Sequence, residues 1–260
     1  MAATGESSAS GRVISVHSYR GGTGKSNTVA NMAALMAAQG MRVAVVDTDI
    51  QSPGIHVLFG LGEGDMGHTL NDFLWGQCDI RQAARDVTGS LGMGVRGQIY
   101  LVPSSVRTSD IARIVREGYD VNLLNDGFNA LLDDLQLDVL LIDTHPGLNE
   151  ETLLSVAISD ALVIILRPDQ QDFQGTSVTV EVARQLEVPK LLLLINKLPM
   201  VFDAGQVKEM AENLYGAEVA AVIPHSDEMM ALASGGVFTL RYPDHPVTEQ
   251  YRALVAKLLA

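Results

Sequence analysis

An apolar run, Arg12–His17, leads into Arg20-Gly-Gly-Thr-Gly-Lys-Ser26, and an alanine-rich stretch over 27–39 leads away from it. This order of strand, glycine loop and helix constrains the fold more than any other feature of the chain. A strand that is apolar throughout needs cover on both faces, as in a parallel sheet flanked by helices. The loop also carries a chemistry. Its glycines let backbone N–H groups curl inward, and the following helix N-terminus adds its dipole, which together cradle a polyphosphate. Gly21, Gly22, Thr23, Gly24 and Asn27 are expected to line that cradle, with Lys25 reaching the β- and γ-phosphates and the Ser26 hydroxyl ligating Mg²⁺. Counting back from Ser26, Tyr19 stands where the usual Gly-x-x-x-x-Gly-Lys-[Ser/Thr] pattern has its first glycine. The pattern is therefore deviant, with a second cation, Arg20, five residues before Lys25.

Further apolar runs recur, separated by helical patterns. Gly40 ends the first helix, and strands are expected at Arg42–Asp47, 98–103, Val139–Asp143, Ala161–Leu166, 191–196 and 219–223, the last stopped by Pro224. Helices are expected at Leu70–Leu74, 111–115, 122–135, 150–158, 176–186, Ala204–Tyr215 and 247–259. The alternation argues for an α/β fold: a single-domain, doubly wound, mostly parallel sheet flanked by helices, with its working loops at the carboxyl ends of the strands. One such domain accounts for 260 residues. Residues 1–11 read as a small, polar, disordered tail and 12–260 as the domain; 60–67 and 89–97 read as surface loops.

The strand ends carry the rest of a nucleotide site. Asp47-Thr48-Asp49 places two carboxylates at alternate positions, which in an extended segment point the same way. One would hold a Mg²⁺-bound water and the other would orient or deprotonate an attacking water; the alternative is that these aspartates only turn the chain. Val139–Asp143 has the Walker B pattern of an apolar strand ending in a carboxylate, where Asp143 would accept from the Mg²⁺ water shell. Asn196 ends a later strand with an amide that either pairs with a purine edge or caps the following turn.

Composition bounds the partners. With 18 basic and 31 acidic residues the net charge is −13, which opposes general affinity for nucleic acid or an anionic membrane. The richest basic cluster, Arg107, Arg113 and Arg116, is diluted by Asp110, Glu117 and Asp120, so DNA binding is disfavoured though a dimer would double any patch. One cysteine, Cys78, excludes a disulfide framework and a CxxC metal or cluster site. Tyr251, Leu254, Val255, Leu258 and Leu259 form one face of a final helix, which is expected to pack on the sheet rather than to anchor to a membrane. A cytoplasmic location is expected.

The loop Arg20 to Ser26, Asp47-Thr-Asp49, Asp143-Thr-His-Pro-Gly147, Asn196-Lys197, Leu70-Asn-Asp-Phe-Leu74 and Val222-Ile223-Pro224 together resemble the MinD/ParA group of deviant Walker A ATPases, over nearly the whole of 12–259. The resemblance implies ATP and Mg²⁺ as ligands, ATP hydrolysis, and an ATP-dependent homodimer that acts as a spatial switch, released by a protein activator or bound to a cargo. It implies that Asp49 positions the attacking water, that Lys25 holds phosphates in its own subunit, and that Ser26, Asp47 and Asp143 hold the metal and its waters. Asn196 and Pro224 are carried over with the nucleotide-binding residues. The family's extra loop lysine crosses to the partner's nucleotide; here that position is Arg20, read either as an arginine finger in trans or as a solvated cation. His145 stands where the family often has proline, and reads either as a reporter of the γ-phosphate or as a solvated loop residue. A nucleotide-binding interaction protein with negligible turnover is the alternative to an ATPase.

Overall fold

The computed structural model describes residues 11–92 and 95–260. The expected disordered tail, up to residue 10, and residues 93–94 of the expected 89–97 loop lie outside the described residues. Eight strands form one sheet: β1 (Arg12–His17), β2 (Arg42–Asp47), β3 (Arg85–Asp86), β4 (Gln98–Val102), β5 (Val139–Asp143), β6 (Ala161–Leu166), β7 (Lys190–Leu198) and β8 (Glu218–Pro224). Their order is β3-β4-β2-β5-β1-β6-β7-β8, parallel throughout except for the short antiparallel β3 at one edge. The helices are α1 (Lys25–Ala38), α2 (Ile55–Leu58), α3 (Leu70–Leu74), α4 (Ile80–Ala83), α5 (Thr108–Glu117), α6 (Asn122–Asp134), α7 (Glu150–Ala157), α8 (Gln170–Gln185), α9 (Ala204–Tyr215), α10 (Asp227–Leu232), α11 (Phe238–Arg241) and α12 (Pro246–Leu259). This is the doubly wound α/β domain expected from the alternation.

Each strand of the parallel part of the sheet alternates its side chains between two covered faces, which is why those runs are largely apolar. Ile14, Val16, Val43, Val45 and Leu141 face α1, α2, α11 and α12, whereas Ala44, Val46, Leu140 and Ile142 face α3, α4 and α6. Beyond β1, Leu162, Ile164, Leu193 and Ile195 pack under α8 and α9. Helix α1 is buried from residue 28 to residue 37, and its alanines allow α12 and α11 to pack closely against it. The expected apolar face of the last helix is its packing face: Tyr251, Leu254, Val255 and Leu258 are all buried in the core around α1. Among the described residues no helix is long and apolar enough to cross a membrane.

Some elements are too short for periodicity to reveal. Within the expected surface loops lie 3-10 turns at Glu63–Asp65 and Thr88–Leu91, and α2, α4, α10 and α11 span at most six residues. Helix α8 begins six residues before its expected start, because Asp169 caps it by accepting from the Gln171 and Asp172 N–H groups.

Candidate functional site

The parallel strands β2, β5, β1, β6 and β7 deliver their carboxyl ends to one edge of the sheet, where β1 passes through the glycine loop into α1. Gly22 at φ +74° and Gly24 at φ +102° take left-handed conformations that let the loop wrap. Gly24 is doubly required, since a Cβ there would sit 2.5 Å from the Asn196 side-chain nitrogen. A cavity of about 400 Å³ opens over the loop, lined by Gly21, Gly22, Lys25, Ser26, Asp49 and Pro146. Beside it, a cavity of about 250 Å³ is lined by Asn196, Pro224, His225, Ser226, Met229 and Met230. Gly24, Asn27 and Lys197 line both. A polar cradle joined to a more apolar pocket suits a phosphate chain joined to a planar base.

Lys25 is nearly buried, and its ammonium donates to the Ser18 hydroxyl at 3.2 Å. Burial pulls its pKa down, while Asp143, Asp49 and Asp47 oppose that shift. Asp47 and Asp143 are register partners on neighbouring strands, so two buried carboxylates stand side by side. Burial raises the Asp47 carboxyl well above the usual carboxylate range, and the charges of Asp143 and Asp49 add to the effect. Asp143 is pushed up to about 6 by burial, against the lowering effect of the Ser26 hydroxyl and Lys25. Asp47 accepts from the Asp49 and Gly54 N–H groups at 3.1 and 3.3 Å, whereas the Asp143 Oδ1 is buried with no hydrogen-bond partner.

An orphaned carboxylate oxygen, a second carboxylate across the strand pair and a hydroxyl at the start of the helix form a hard oxygen donor set. That set fits Mg²⁺, which takes oxygen ligands and keeps several waters. The metal's charge would also relieve the repulsion between the two carboxylates.

Asp49 lies higher, on the wall of the phosphate cavity, with its side chain 18% exposed. Burial raises its pKa, opposed by His145 and Lys25. His145 places Nε2 3.8 Å from the Asp49 Oδ1, and its Nδ1 lies 2.6 Å from the Pro146 carbonyl oxygen, which fixes the ring. Behind this pair His17 is fully buried; burial, with Lys25 and His145, holds it near 3, so it stays neutral at ordinary pH.

The expected site residues divide into three groups. Gly21, Gly22, Gly24, Lys25, Ser26, Asn27 and Asp49 meet around the phosphate cavity, with Asp47 and Asp143 beneath it. Thr23 is buried and turns its carbonyl to Asn196, whose side chain donates to it at 2.8 Å. The Asn196 Oδ1 accepts from the Lys197 N–H, leaving one N–H and one lone pair of the amide for the base pocket it lines beside Pro224. Arg20 points away from its own phosphate cavity. Its guanidinium lies 3.4 Å from Asp172 and 3.5 Å from Asp169 at the start of α8, where Arg167 also pairs with Asp172 at 2.9 Å. On α5, Arg113 is occupied by Glu117 and the Trp75 ring.

Sequence reasoning missed Asp169, Asp172 and Arg167 around Arg20, and missed Lys197 and the two methionines as pocket walls. A carboxylate at the cap of a helix after an apolar strand was the only local signal for the first group. Lys197 stood in the Asn196-Lys197 motif with no wall role read from it, and nothing local marked the methionines, because α10 is six residues long.

Comparison with known proteins gives the lineage. The AAA-domain family model matches residues 11–191. An uncharacterised ATP-binding protein of Methanocaldococcus jannaschii is 28% identical over 247 residues, covering 95% of this chain and 87% of that protein. An iron-sulfur cluster carrier protein of Pseudomonas fragi is 28% identical, covering 93% of this chain and 83% of that protein. The septum site-determining protein MinD of Pyrococcus horikoshii, solved with Mg-ADP, superposes with a TM-score of 0.78 at 20% identity, over 95% of each chain.

Proposed function

Because the chain belongs to the MinD/ParA family of P-loop ATPases, we propose that it hydrolyses ATP as a nucleotide-dependent homodimer and serves as a regulatory or spatial switch. The observation that carries this reading is Asp49: a carboxylate on the wall of the phosphate cavity, separate from the Asp47–Asp143 pair beneath the loop. A protein that merely bound ATP would need the pair and the loop, but not a third carboxylate on the cavity wall.

In this mechanism the loop N–H groups and Lys25 bind the phosphates, and Ser26, Asp47 and Asp143 hold Mg²⁺ and its waters. Mg²⁺ held there would supply counter-charge to the phosphates. Asp49 orients a water for in-line attack. The water oxygen forms the new bond to the γ-phosphorus, and the bond to the bridging oxygen breaks with its electron pair left on ADP. Asp49 accepts the water's proton and returns it to the phosphate. His145, beside Asp49, steadies the carboxylate in position.

Arg20 serves the partner's nucleotide. It is half-exposed, and Asp172 keeps Arg167 as a partner when Arg20 leaves, so its release strands no buried charge. The alternative, a binding protein without turnover, draws on the same observation, since Arg20 is already paired within its own chain. Turnover is expected to be slow and to rise with a protein activator or cargo. The iron-sulfur carrier relative does not extend to cluster transfer here, because the chain has one cysteine, Cys78, packed against α3, α4 and α6.

The test measures phosphate release and ATP-dependent dimerisation side by side, for wild type and Arg20→Ala. Wild type is expected to do both, and the variant to bind ATP but lose dimerisation or turnover. Dimerisation of wild type without phosphate release would sink the enzyme reading; normal behaviour of the variant would sink the role in trans.

A further inference from the structure

Helix α6 carries two apolar faces. Leu124, Phe128, Leu131 and Leu132 are buried in the core. On the flank beside them, Leu123, Gly127 and Ala130 form a second stripe at i, i+4 and i+7, and Leu123 and Ala130 are only half-buried. Phe73 of α3 lays its ring over Gly127, where a Cβ would come within 2.8 Å of it. The glycine is what lets the ring lie so close to α6. Between α6 and the α3–α4 segment this leaves a groove of about 490 Å³, lined by Phe73, Leu123, Gly127 and Ala130. It shares no residue with the two nucleotide cavities.

The rim of the groove is acidic. Asp79, Asp126 and Asp134 line it and are exposed, against a single cation, Arg81. None of the three carboxylates forms an ion pair among the described residues. Asp126 and Asp134 stand about 12 Å apart along the axis of α6. Cations at i and i+7 of a second helix lying alongside are about 10.5 Å apart, within side-chain reach of both. An apolar floor below a carboxylate rim also suits lysine and arginine, whose stems pack on apolar surface while their heads meet the acids.

We propose that this groove docks a basic amphipathic helix of a protein partner, whose apolar stripe packs on Phe73, Leu123 and Ala130 while cations two turns apart pair with Asp126 and Asp134. The mode is that of a helix laid into a groove, with anchors at i, i+3, i+4 and i+7. The same carboxylates repel phosphate, so nucleic acid and anionic lipid do not fit. A second copy of the chain placed face to face would set these carboxylates against one another, at a net charge of −13 on each chain.

The probe is a fluorescein-labelled helical peptide of about 14 residues built from leucine and lysine, with leucines at i, i+3, i+4 and i+7. Its binding to the full chain is followed by anisotropy in about 0.15 M salt. Oligolysine of the same length and a leucine–glutamate peptide serve as comparisons. Wild type is expected to bind the leucine–lysine peptide at least about tenfold more tightly than either. The double variant Asp126→Lys/Asp134→Lys should weaken it about tenfold or more. Ala130→Leu fills the groove without changing charge and should weaken it about fivefold or more. Glu181→Lys/Glu209→Lys makes the same charge change on α8 and α9, at exposed positions, and should stay within about twofold of wild type. Oligolysine binding as tightly as the amphipathic peptide, or wild-type binding by Ala130→Leu, would overturn the apolar contact and the proposal with it. Equal losses in the two double variants would reduce the effect to net charge and overturn it as well. A nucleotide-free dimer that Ala130→Leu turned into a monomer would make the occupant a second copy instead. Unchanged thermal melts and ATP binding in each variant show that the fold is intact, and Asp126→Asn/Asp134→Asn, expected to lose about threefold or more, repeats the rim test without charge reversal.

Discussion

Replacing Asp143 by Asn is expected to stabilise the metal-free protein near neutral pH while removing its response to Mg²⁺. The folded-state carboxyl is held at about 6 against an ordinary value of 3.8, because it is buried, with the Ser26 hydroxyl and Lys25 opposing the shift and the Asp49 charge adding to it. Each pH unit of displacement is worth about 1.4 kcal/mol, so the full penalty is about 3 kcal/mol. The sign follows from proton uptake. Between pH 3.8 and about 6 the unfolded chain has released this proton and the folded chain has not, so wild-type stability falls as pH rises and the penalty is complete above about 6. The variant has no such group. Urea unfolding followed by the fluorescence of Trp75, the single tryptophan, is measured for both proteins in EDTA from pH 4 to pH 8. Stability of the variant relative to wild type should rise by about 3 kcal/mol across that range, or roughly 6–12 °C in Tm. The buried His17 has the opposite dependence, but it is present in both proteins and cancels. Mg-ADP should then stabilise wild type and not the variant. A difference that stays flat with pH would refute the reasoning, whatever its absolute value.

Asp49→Asn should keep ATP affinity within about threefold and lower phosphate release by about 100-fold or more; retained turnover would remove Asp49 from the chemistry. Gly24→Ala meets both a φ of +102° and a Cβ contact of 2.5 Å with Asn196, and is expected to cost about 2–3 kcal/mol and most nucleotide binding. Gly22→Ala, strained at φ +74° but in open space, should cost only about 1–2 kcal/mol by thermal denaturation. His17→Gln should flatten the acid side of the stability curve: the neutral His17 is held near 3, so the wild type loses stability as pH falls from 6.5 towards 3, by an amount on the order of 3–5 kcal/mol. Equal acid sensitivity of the two proteins would rule this out.

The fold was largely legible because its information is local. Strands buried on both faces read as apolar runs, and five of the six long helices other than α1 were expected to within about three residues at each end. The start of α8 was not, because residues 170–175 carry Gln, Asp and Gly rather than an apolar stripe, and the helix there depends on the Asp169 cap. The short α2, α4, α10 and α11 have too few turns for a period to register. At the site, the loop and the aspartates at 47, 49 and 143 were readable as chemistry without any knowledge of who stands beside whom. The neighbours of Arg20 were not, since Asp169 and Asp172 lie about 150 residues further along the chain.

By itself, then, the sequence determined the strand–loop–helix cradle, its lysine and hydroxyl, the carboxylates at strand ends and the α/β alternation. These depend on residue type and on spacing over a few positions, where covalent geometry leaves little choice. Only the tertiary structure decided that Asp47 faces Asp143, that Arg20 rests on α8, and that Lys197 reaches back to Gly22. Those pairings follow from the order β2-β5-β1-β6-β7, in which β5 lies between β2 and β1, and β1 lies beside β6. That order is set by how the crossover helices pack on the two faces of the sheet, a balance of buried area over the whole domain that no short stretch of residues contains.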